Sequence, residues 1–385
     1  MERGYRICTR CLMDTSDPEI QFDEQGVCNH CHDYDRLVQQ RVLTGENGLR
    51  YLQKLVEQIK REGKGKPYDC VMGVSGGVDS TYVAYVAKTK LGLRPLAIHM
   101  DNGWDSELAV KNIEETLKHL GIDLYTNVLN WEEFKDLQLA FLKASTPDSE
   151  IPSDHAIWAV ISNMAEKLKV RYILSGFNVR TETHLPRAWS QGHFDWKYIQ
   201  SVHKQFGKGK LKTFPHQGLV TYYRRLLTLR RVDILNYLDY NKQEAMQLLE
   251  RELGWKYYGG KHHESIYTRF YQGYILPTKF GYDKRRSHLS SQICSGEITR
   301  ETALVELQKP AYAPSMQEED REYVAKKLGV NDTEFDAIMN LPRKSFSDYP
   351  SYGRVIEGPM FKGLYDGLRN VYRSMQQRRN RVAES

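Results

Sequence analysis

Between residues 68 and 178 the apolar and polar positions follow two alternating rhythms. Short apolar runs at 69–74, 94–100, 124–129 and 172–175 have the length of strands. Between them apolar residues recur at helical spacing, over 79–90 (Val83, Val86 and Ala87 inward), 106–120, 131–143 and 155–168. Strand and helix in alternation predict an α/β fold, a parallel sheet with helices on both faces. In open sheets of this kind ligands bind beyond the carboxyl ends of the strands.

Upstream, 33–64 reads as helix, with Leu37, Val38, Leu52, Leu55, Val56 and Ile59 apolar and a turn at 44–48. Gly63-Lys64-Gly65-Lys66-Pro67 breaks that pattern. Downstream, 181–218 is polar and aromatic, 230–251 reads as helix, and 254–286 is rich in Tyr, Lys and His. The final stretch reads as helices with loops.

Charged residues make up 27% of the 385, and no apolar run approaches the ~20 residues of a membrane helix. The first five residues lack the apolar stretch of a signal peptide. A cytoplasmic protein without membrane insertion is expected. The net charge of +6 is mildly basic, with clusters at 204–212, 284–286 and 369–381. Such clusters suit nucleic acid, an acidic substrate, or simply a solvated face.

The most informative segment is Val74-Ser75-Gly76-Gly77-Val78-Asp79-Ser80, between a predicted strand and a predicted helix. A glycine pair lets successive N–H groups converge, and the helix start behind them completes an anion site. Ser75 and Ser80 add hydroxyl donors, while Asp79 can cap the helix or hold Mg²⁺. Neither the Walker A pattern nor Gly-x-Gly-x-x-Gly is present. The segment resembles the Ser-Gly-Gly-x-Asp-Ser signature of the PP-loop ATP pyrophosphatases, of the adenine nucleotide alpha-hydrolase-like fold. That resemblance implies cleavage of ATP between its α and β phosphates. It also places adenine along neighbouring strand ends, here Met100 and Asp101, and Ser175 and Gly176, with Asn178 able to reach ribose or substrate. An ordinary strand-end turn is the alternative for these positions.

Cys8-x-x-Cys11 and Cys28-x-x-Cys31 are two knuckles at zinc-ribbon spacing. Four thiolates suit a closed, structural Zn²⁺ site, with iron as the other candidate. His30 or His32 could stand in for a cysteine. Outside the ribbon only Cys70 and Cys294 remain, a weak basis for sulfur transfer, and Cys70 falls on a buried strand. Residue 2 is Glu and no Gly-x-Cys-x-Gly elbow occurs, so the chain lacks both common glutaminase nucleophiles.

The cysteine module, the PP-loop, Ile151-Pro152-Ser153-Asp154-His155-Ala156, Gly259-Gly260-Lys261-His262-His263-Glu264-Ser265 and Thr268-Arg269-Phe270 together resemble the N-acetyl sugar amidotransferases of surface-polysaccharide biosynthesis. The resemblance divides the chain into a zinc-ribbon module at 1–40, a PP-loop synthetase domain at 41–300 and a helical region at 301–385. It implies that ATP activates the acetamido oxygen of a UDP-linked N-acetyl sugar and that ammonia then displaces AMP, leaving an acetamidino group. The ammonia would come from a partner glutaminase and barrel subunit similar to the histidine-biosynthesis pair. Asp79, Lys261, His262, Glu264 and Arg269 are the candidate catalytic residues, Lys261 at the α-phosphate and Glu264 or His262 as proton acceptor. Asp154, His155, Asn178, Lys279 and Arg285 are candidate substrate contacts, and each could equally be a structural charge or core residue. Tyr and Trp residues after Thr181 could stack on a base or pack in the core. A tRNA-thiolating PP-loop enzyme and a non-catalytic zinc-ribbon RNA-binding protein are the rival readings. The intact loop and the scarcity of cysteines argue against them.

Overall fold

The computed structural model describes residues 4–260 and 263–353. At its centre lies a parallel sheet of five strands: β1 (Cys70–Gly73), β2 (Pro95–Asp101), β3 (Leu124–Val128), β4 (Tyr172–Ser175) and β5 (Arg230–Asp233). Their order is β3-β2-β1-β4-β5, so the direction of winding reverses between β1 and β4. Cys70 pairs with Pro95 on one side and with Tyr172 on the other. A crevice opens at such a reversal because the helices that follow the two strands leave on opposite faces.

Alternation along the strands divides the core. Val71, Ile98 and Ile173 pack against Val160, Ile161 and Met164 of the helix Ile151–Lys167. Cys70, Met72, Tyr172 and Leu174 point the other way, toward the helices Gly45–Gly63, Val78–Tyr85 and Glu107–Leu120. The sheet is therefore covered on both faces, as its rhythm predicts. β3 is the outer edge, where Val128 is 70% exposed.

Caps explain most of the helix starts. The Ser106 side chain accepts from the Ala109 N–H, and that of Asn130 from Glu133. Gly121 and Gly254 end their helices in the left-handed conformation. The expected helix over 230–251 is not one element. Arg230–Asp233 is the fifth strand, a short 3₁₀ turn follows at Ile234–Tyr237, and the helix is Lys242–Leu253 with Asn241 as its cap. The polar, aromatic stretch 181–218 contains the helix Trp196–Phe206, and the helix Leu219–Thr228 follows directly after it. Further on, Tyr271–Phe280 is wound as a π-helix with Pro277 inside it, a wider turn that accommodates a residue without an N–H.

A second core unites Phe134, Phe141, Tyr198, Phe270, Tyr271 and Phe335, binding the C-terminal helices to the sheet domain. The cysteine module is docked rather than tethered. Arg300 donates to the carbonyls of Cys8 and Cys11, Arg286 pairs with Asp14 at 3.0 Å, and the Leu12 N–H donates to Ser290. Of the basic cluster 284–286, Lys284 faces Glu150 and Arg285 pairs with Asp283, so the cluster is largely neutralised in place. The cluster 369–381 lies outside the described residues. Among the described residues no helix is long and apolar enough to cross a membrane.

Candidate functional site

β1 runs into the turn Val74-Ser75-Gly76-Gly77, and the helix Val78–Tyr85 starts immediately behind it. Gly76 has φ +77°, and a Cβ there would sit 2.6 Å from the Ala109 carbonyl oxygen. Only glycine combines that conformation with that approach. The indole N–H of Trp255 donates to the Gly76 carbonyl at 2.9 Å and holds the turn from outside. Ser80 Oγ accepts from the Ser75 N–H and donates to the Gly77 carbonyl, while Ser75 Oγ accepts from the Gly77 N–H. No side chain caps the helix, so its positive end faces the turn. Asp79 accepts a hydrogen bond from the Tyr240 hydroxyl.

Two cavities adjoin this turn. The first, of about 310 Å³, lies over the ends of β1 and β2, with Ser75, Ser80, His99, Met100 and Asp154 on its walls. Glu264 closes it from above. Its segment is pinned by the Ser106 N–H donating to the Glu264 carbonyl at 2.8 Å and the Ile266 N–H donating to that of Trp104 at 2.9 Å. A Cβ on Gly77 would lie 3.4 Å from Glu264 Oε1, so this carboxylate overhangs the phosphate loop. The second cavity, of about 720 Å³, includes Asp79, Gly259, His263, Arg269 and Arg285. Thr268 lines both, and the loop presents its serines to one and Asp79 to the other. The phosphate loop thus stands at the border of two spaces.

Charge in the first cavity is tuned by its neighbours. His99 sits between the Val74 carbonyl and Asp105, at 3.1 and 3.2 Å. Burial opposes its charge, but the Asp105 carboxylate more than offsets this and lifts its pKa above the ordinary value. The Asp154 side chain is half exposed at the cavity mouth, yet the surrounding protein and the nearby Asp148 and Glu150 push its carboxyl up to about 6, against the attraction of His193 at 3.3 Å. In an unfolded chain an Asp titrates near ~3.9. Ionisation of Asp154 is therefore disfavoured by folding, and it costs stability above about pH 6. Because water screens half of this side chain, Asp154→Asn is expected to raise the thermal midpoint only slightly at pH 8, with the gain fading as pH falls through 6 toward 4. A midpoint below wild type at pH 8 would mean that the attraction of His193 outweighs burial.

Several expected contacts take other parts. The Asp101 carboxylate accepts from the Gly103 N–H at 2.7 Å and shapes a turn. Ser175 Oγ accepts from the Phe177 N–H. Gly176 does allow a close approach, but the neighbour is the loop helix, since a Cβ there would lie 3.1 Å from the Asp79 carbonyl carbon. Asn178 is buried and caps its own short helix through the Thr181 N–H, so it is structural. His155 is a core histidine. It bonds the His193 carbonyl and the Gln217 N–H, stacks on Trp196, and burial depresses it to about 4.

Lys279 is buried against the Ile338 carbonyl, with its pKa lowered by burial to about 8, and it reaches neither cavity. Arg285 reaches the second cavity, but its guanidinium pairs with Asp283 and donates to the Lys309 carbonyl. Arg269 also lines that cavity while holding Asp320 through two bonds of 2.6 and 2.8 Å. Lys261 and His262 lie outside the described residues. Trp189 and Trp196 are core residues, Trp196 stacking on His216 and Phe214. Sequence reasoning did not single out His99, Asp105 or Tyr240. No motif marks them, since His99 on β2 and Tyr240 beyond β5 meet the loop only in the fold, with Asp105 behind His99.

Cys8, Cys11, Cys28 and Cys31 are fully buried, with their Sγ atoms within 4.8 Å of one another. Backbone N–H groups of Arg10, Cys11 and Cys28 point at the Cys8 sulfur, and that of Met13 at Cys11. Such bonds stabilise thiolates, so the residues fit a tetrahedral thiolate-bound metal. His30 and His32 are bonded instead to Asp17 and Asp23. Cys70 is an inert core thiol, its pKa raised by burial.

A parallel sheet with this loop at its reversal point defines a PP-loop nucleotide-binding domain. Residues 50–145 match the NAD synthase family, and residues 264–362 match the C-terminal domain of WbpG-like LPS biosynthesis proteins. The chain thus joins a PP-loop domain of NAD synthase type to a WbpG-like C-terminal domain, in keeping with the amidotransferase resemblance of its motifs. An uncharacterized protein of Methanocaldococcus jannaschii is 23% identical over 284 residues, which is 72% of this chain and 84% of that protein. A glutamine-hydrolyzing GMP synthase of Pyrobaculum aerophilum is 37% identical over 73 residues, 19% of this chain and 14% of the synthase. Among solved structures, an NMN synthetase from Francisella tularensis covers 78% of the chain (99% of its own length) at 14% identity and a TM-score of 0.35. An NH3-dependent NAD synthetase from Campylobacter jejuni covers 73% (95% of its own) at 15% identity and a TM-score of 0.32.

Proposed function

We propose that this chain is an ATP-dependent amidotransferase that converts an acetamido group of a nucleotide sugar into an acetamidino group during LPS, O-antigen or other surface-polysaccharide biosynthesis. The observation that carries the reading is the phosphate loop at the border of two cavities. One cavity suits the nucleotide and the other is built largely from the WbpG-like region. The acetamido oxygen attacks the α-phosphorus, PPi leaves and an O-adenylyl imidate forms. Ammonia adds to the imidate carbon, the C–O bond to AMP breaks, and a base takes the surplus proton.

An amide oxygen is a weak nucleophile, so positioning and charge stabilisation must supply most of the acceleration. Ser75, Ser80 and the backbone of Gly76 and Gly77 hold the departing PPi. Asp79 and Glu264 offer the hard oxygen ligands that Mg²⁺ requires. Glu264 overhangs the loop, where it can also receive the proton of attacking ammonia. Lys261 stabilises the α-phosphate. The metal of the four-cysteine site is Zn²⁺ and structural. Ammonia arrives from a partner glutaminase through a barrel subunit, and a curated relative with a glutamine-hydrolyzing name supports nitrogen transfer by this kind of domain.

The test is AMP and PPi release from ATP with ammonium chloride and a panel of UDP-linked acetamido uronic acids. Release that requires both sugar and ammonia, with oxygen exchanged for NH in the sugar's mass, is the expected result. Release with tRNA and with no sugar would overturn the reading in favour of RNA modification.

A further inference from the structure

Cys294 is separated from the cysteine module by most of the chain, yet its Sγ lies 3.8 Å from that of Cys31. It sits in the last turn of the helix Lys284–Ser295, half-buried, at the seam where this helix meets the ribbon. On its other side is the His184 ring, with Nε2 at 3.6 Å from Cys294 Sγ. The donor atoms of Cys31, His184 and Cys294 all lie within 4.8 Å of one another.

The hydrogen bonds fix which ring nitrogen is available. His184 Nδ1 is 2.9 Å from Ser291 Oγ. The Ser291 hydroxyl proton is committed to the Ser287 carbonyl, one helical turn back. With that proton on the Ser287 carbonyl, Ser291 accepts from Nδ1, and Nε2 keeps its lone pair toward the two sulfurs. A hydrogen bond from the other ring nitrogen is the usual way a protein orients a metal-binding imidazole. The ring is fully buried and packs on Tyr34, with centroids 5.4 Å apart, which holds that orientation.

We propose that Cys31, His184 and Cys294 form a second divalent-metal site that shares the Cys31 thiolate with the four-cysteine site. The proposal rests on the reading of the four cysteines as a metal site. Metal–ligand lengths of ~2.3 Å to sulfur and ~2.0–2.1 Å to nitrogen give tetrahedral edges of about 3.8 Å between sulfurs and about 3.6 Å between sulfur and nitrogen. The observed spacings match both edges. Charge favours the arrangement as well. A dication with four thiolates carries −2, whereas two dications with five thiolates and a neutral imidazole carry −1. The bridging ion thus lessens the charge buried at this seam. With three protein ligands the second ion keeps one open position. Its ligands come from the ribbon, from the segment after β4 and from the C-terminal half, so the ion would clamp three parts of the chain together.

Metal per chain is to be counted by mass spectrometry on the full chain, loaded with zinc and dialysed against metal-free buffer. Wild type is expected to hold two ions, and Cys294→Ala and His184→Gln one each. In the cobalt(II)-loaded protein, azide should alter the visible spectrum of wild type and leave both variants unchanged, because a closed four-thiolate site has no room for it. One ion in wild type, with a spectrum insensitive to azide, would overturn the bridging site and leave the ribbon standing. No retained metal would overturn both. A single ion in wild type overturns the bridging site even if a variant fails to fold, and two ions that both variants also retain would place the second ion elsewhere and overturn it too.

Discussion

Gly76→Val is expected to abolish nucleotide turnover while the sheet domain stays folded. A β-branched residue at φ +77° enters the left-handed region at a cost of roughly 1–2 kcal/mol. Its Cβ would also meet the Ala109 carbonyl, and that carbonyl belongs to the first turn of the helix Glu107–Leu120, which cannot retreat without disturbing the core beneath it. The loop must therefore flatten, and its converging N–H groups lose their aim at the phosphates. Loss of one such preorganised donor typically lowers turnover by about 10²–10³-fold, and here several are lost together. The measurement is AMP formation alongside ATP binding by calorimetry. Near-normal values for both would mean that the loop does not hold phosphate.

Cys11→Ser carries the second large effect. Thiolate sites contribute about 10–16 kcal/mol of binding to small modules of this kind, and this module has only Met13, Ile20 and a few neighbours as its own core. Without the metal, the carbonyls of Cys8 and Cys11 lose the geometry that Arg300 grips. The variant should lose metal and thermal midpoint together, and protease should cut within the first 40 residues. A variant that keeps the wild-type metal content would remove the four cysteines from that role.

How much of this was legible depends on whether a residue has one physical use or several. A glycine pair before Asp-Ser at a strand end has few uses, and the loop could be placed from it. Two Cys-x-x-Cys knuckles are equally restricted. β1, β2 and β4 could be read because buried parallel strands are continuously apolar. β5 could not, since Arg230-Arg231-Val232-Asp233 offers a single apolar residue and only Val232 is deeply buried. Polar residues were the least legible. Asn178, His155 and Lys279 carry the groups that bind substrates, yet each spends them on the protein's own backbone. Cys294 looked isolated because its partner Cys31 is 263 positions away, and no local pattern encodes such a meeting.

The order of strands has a consequence for synthesis of the chain. β1, which carries the phosphate loop, pairs with the strand made just after it and with β4, made only after Val170. Glu264, which roofs the loop, is made later still. Non-local pairings of this kind are the slow steps of folding, because the intervening chain must be gathered before they repay its entropy. A ribosome that has released the first 145 residues has therefore made the whole signature but no working cradle. The site assembles in the order of its legibility, with the motif first and its walls last. Activity should thus report on synthesis of the chain at least through Tyr312, which lines the second cavity, rather than on the segment that names its chemistry.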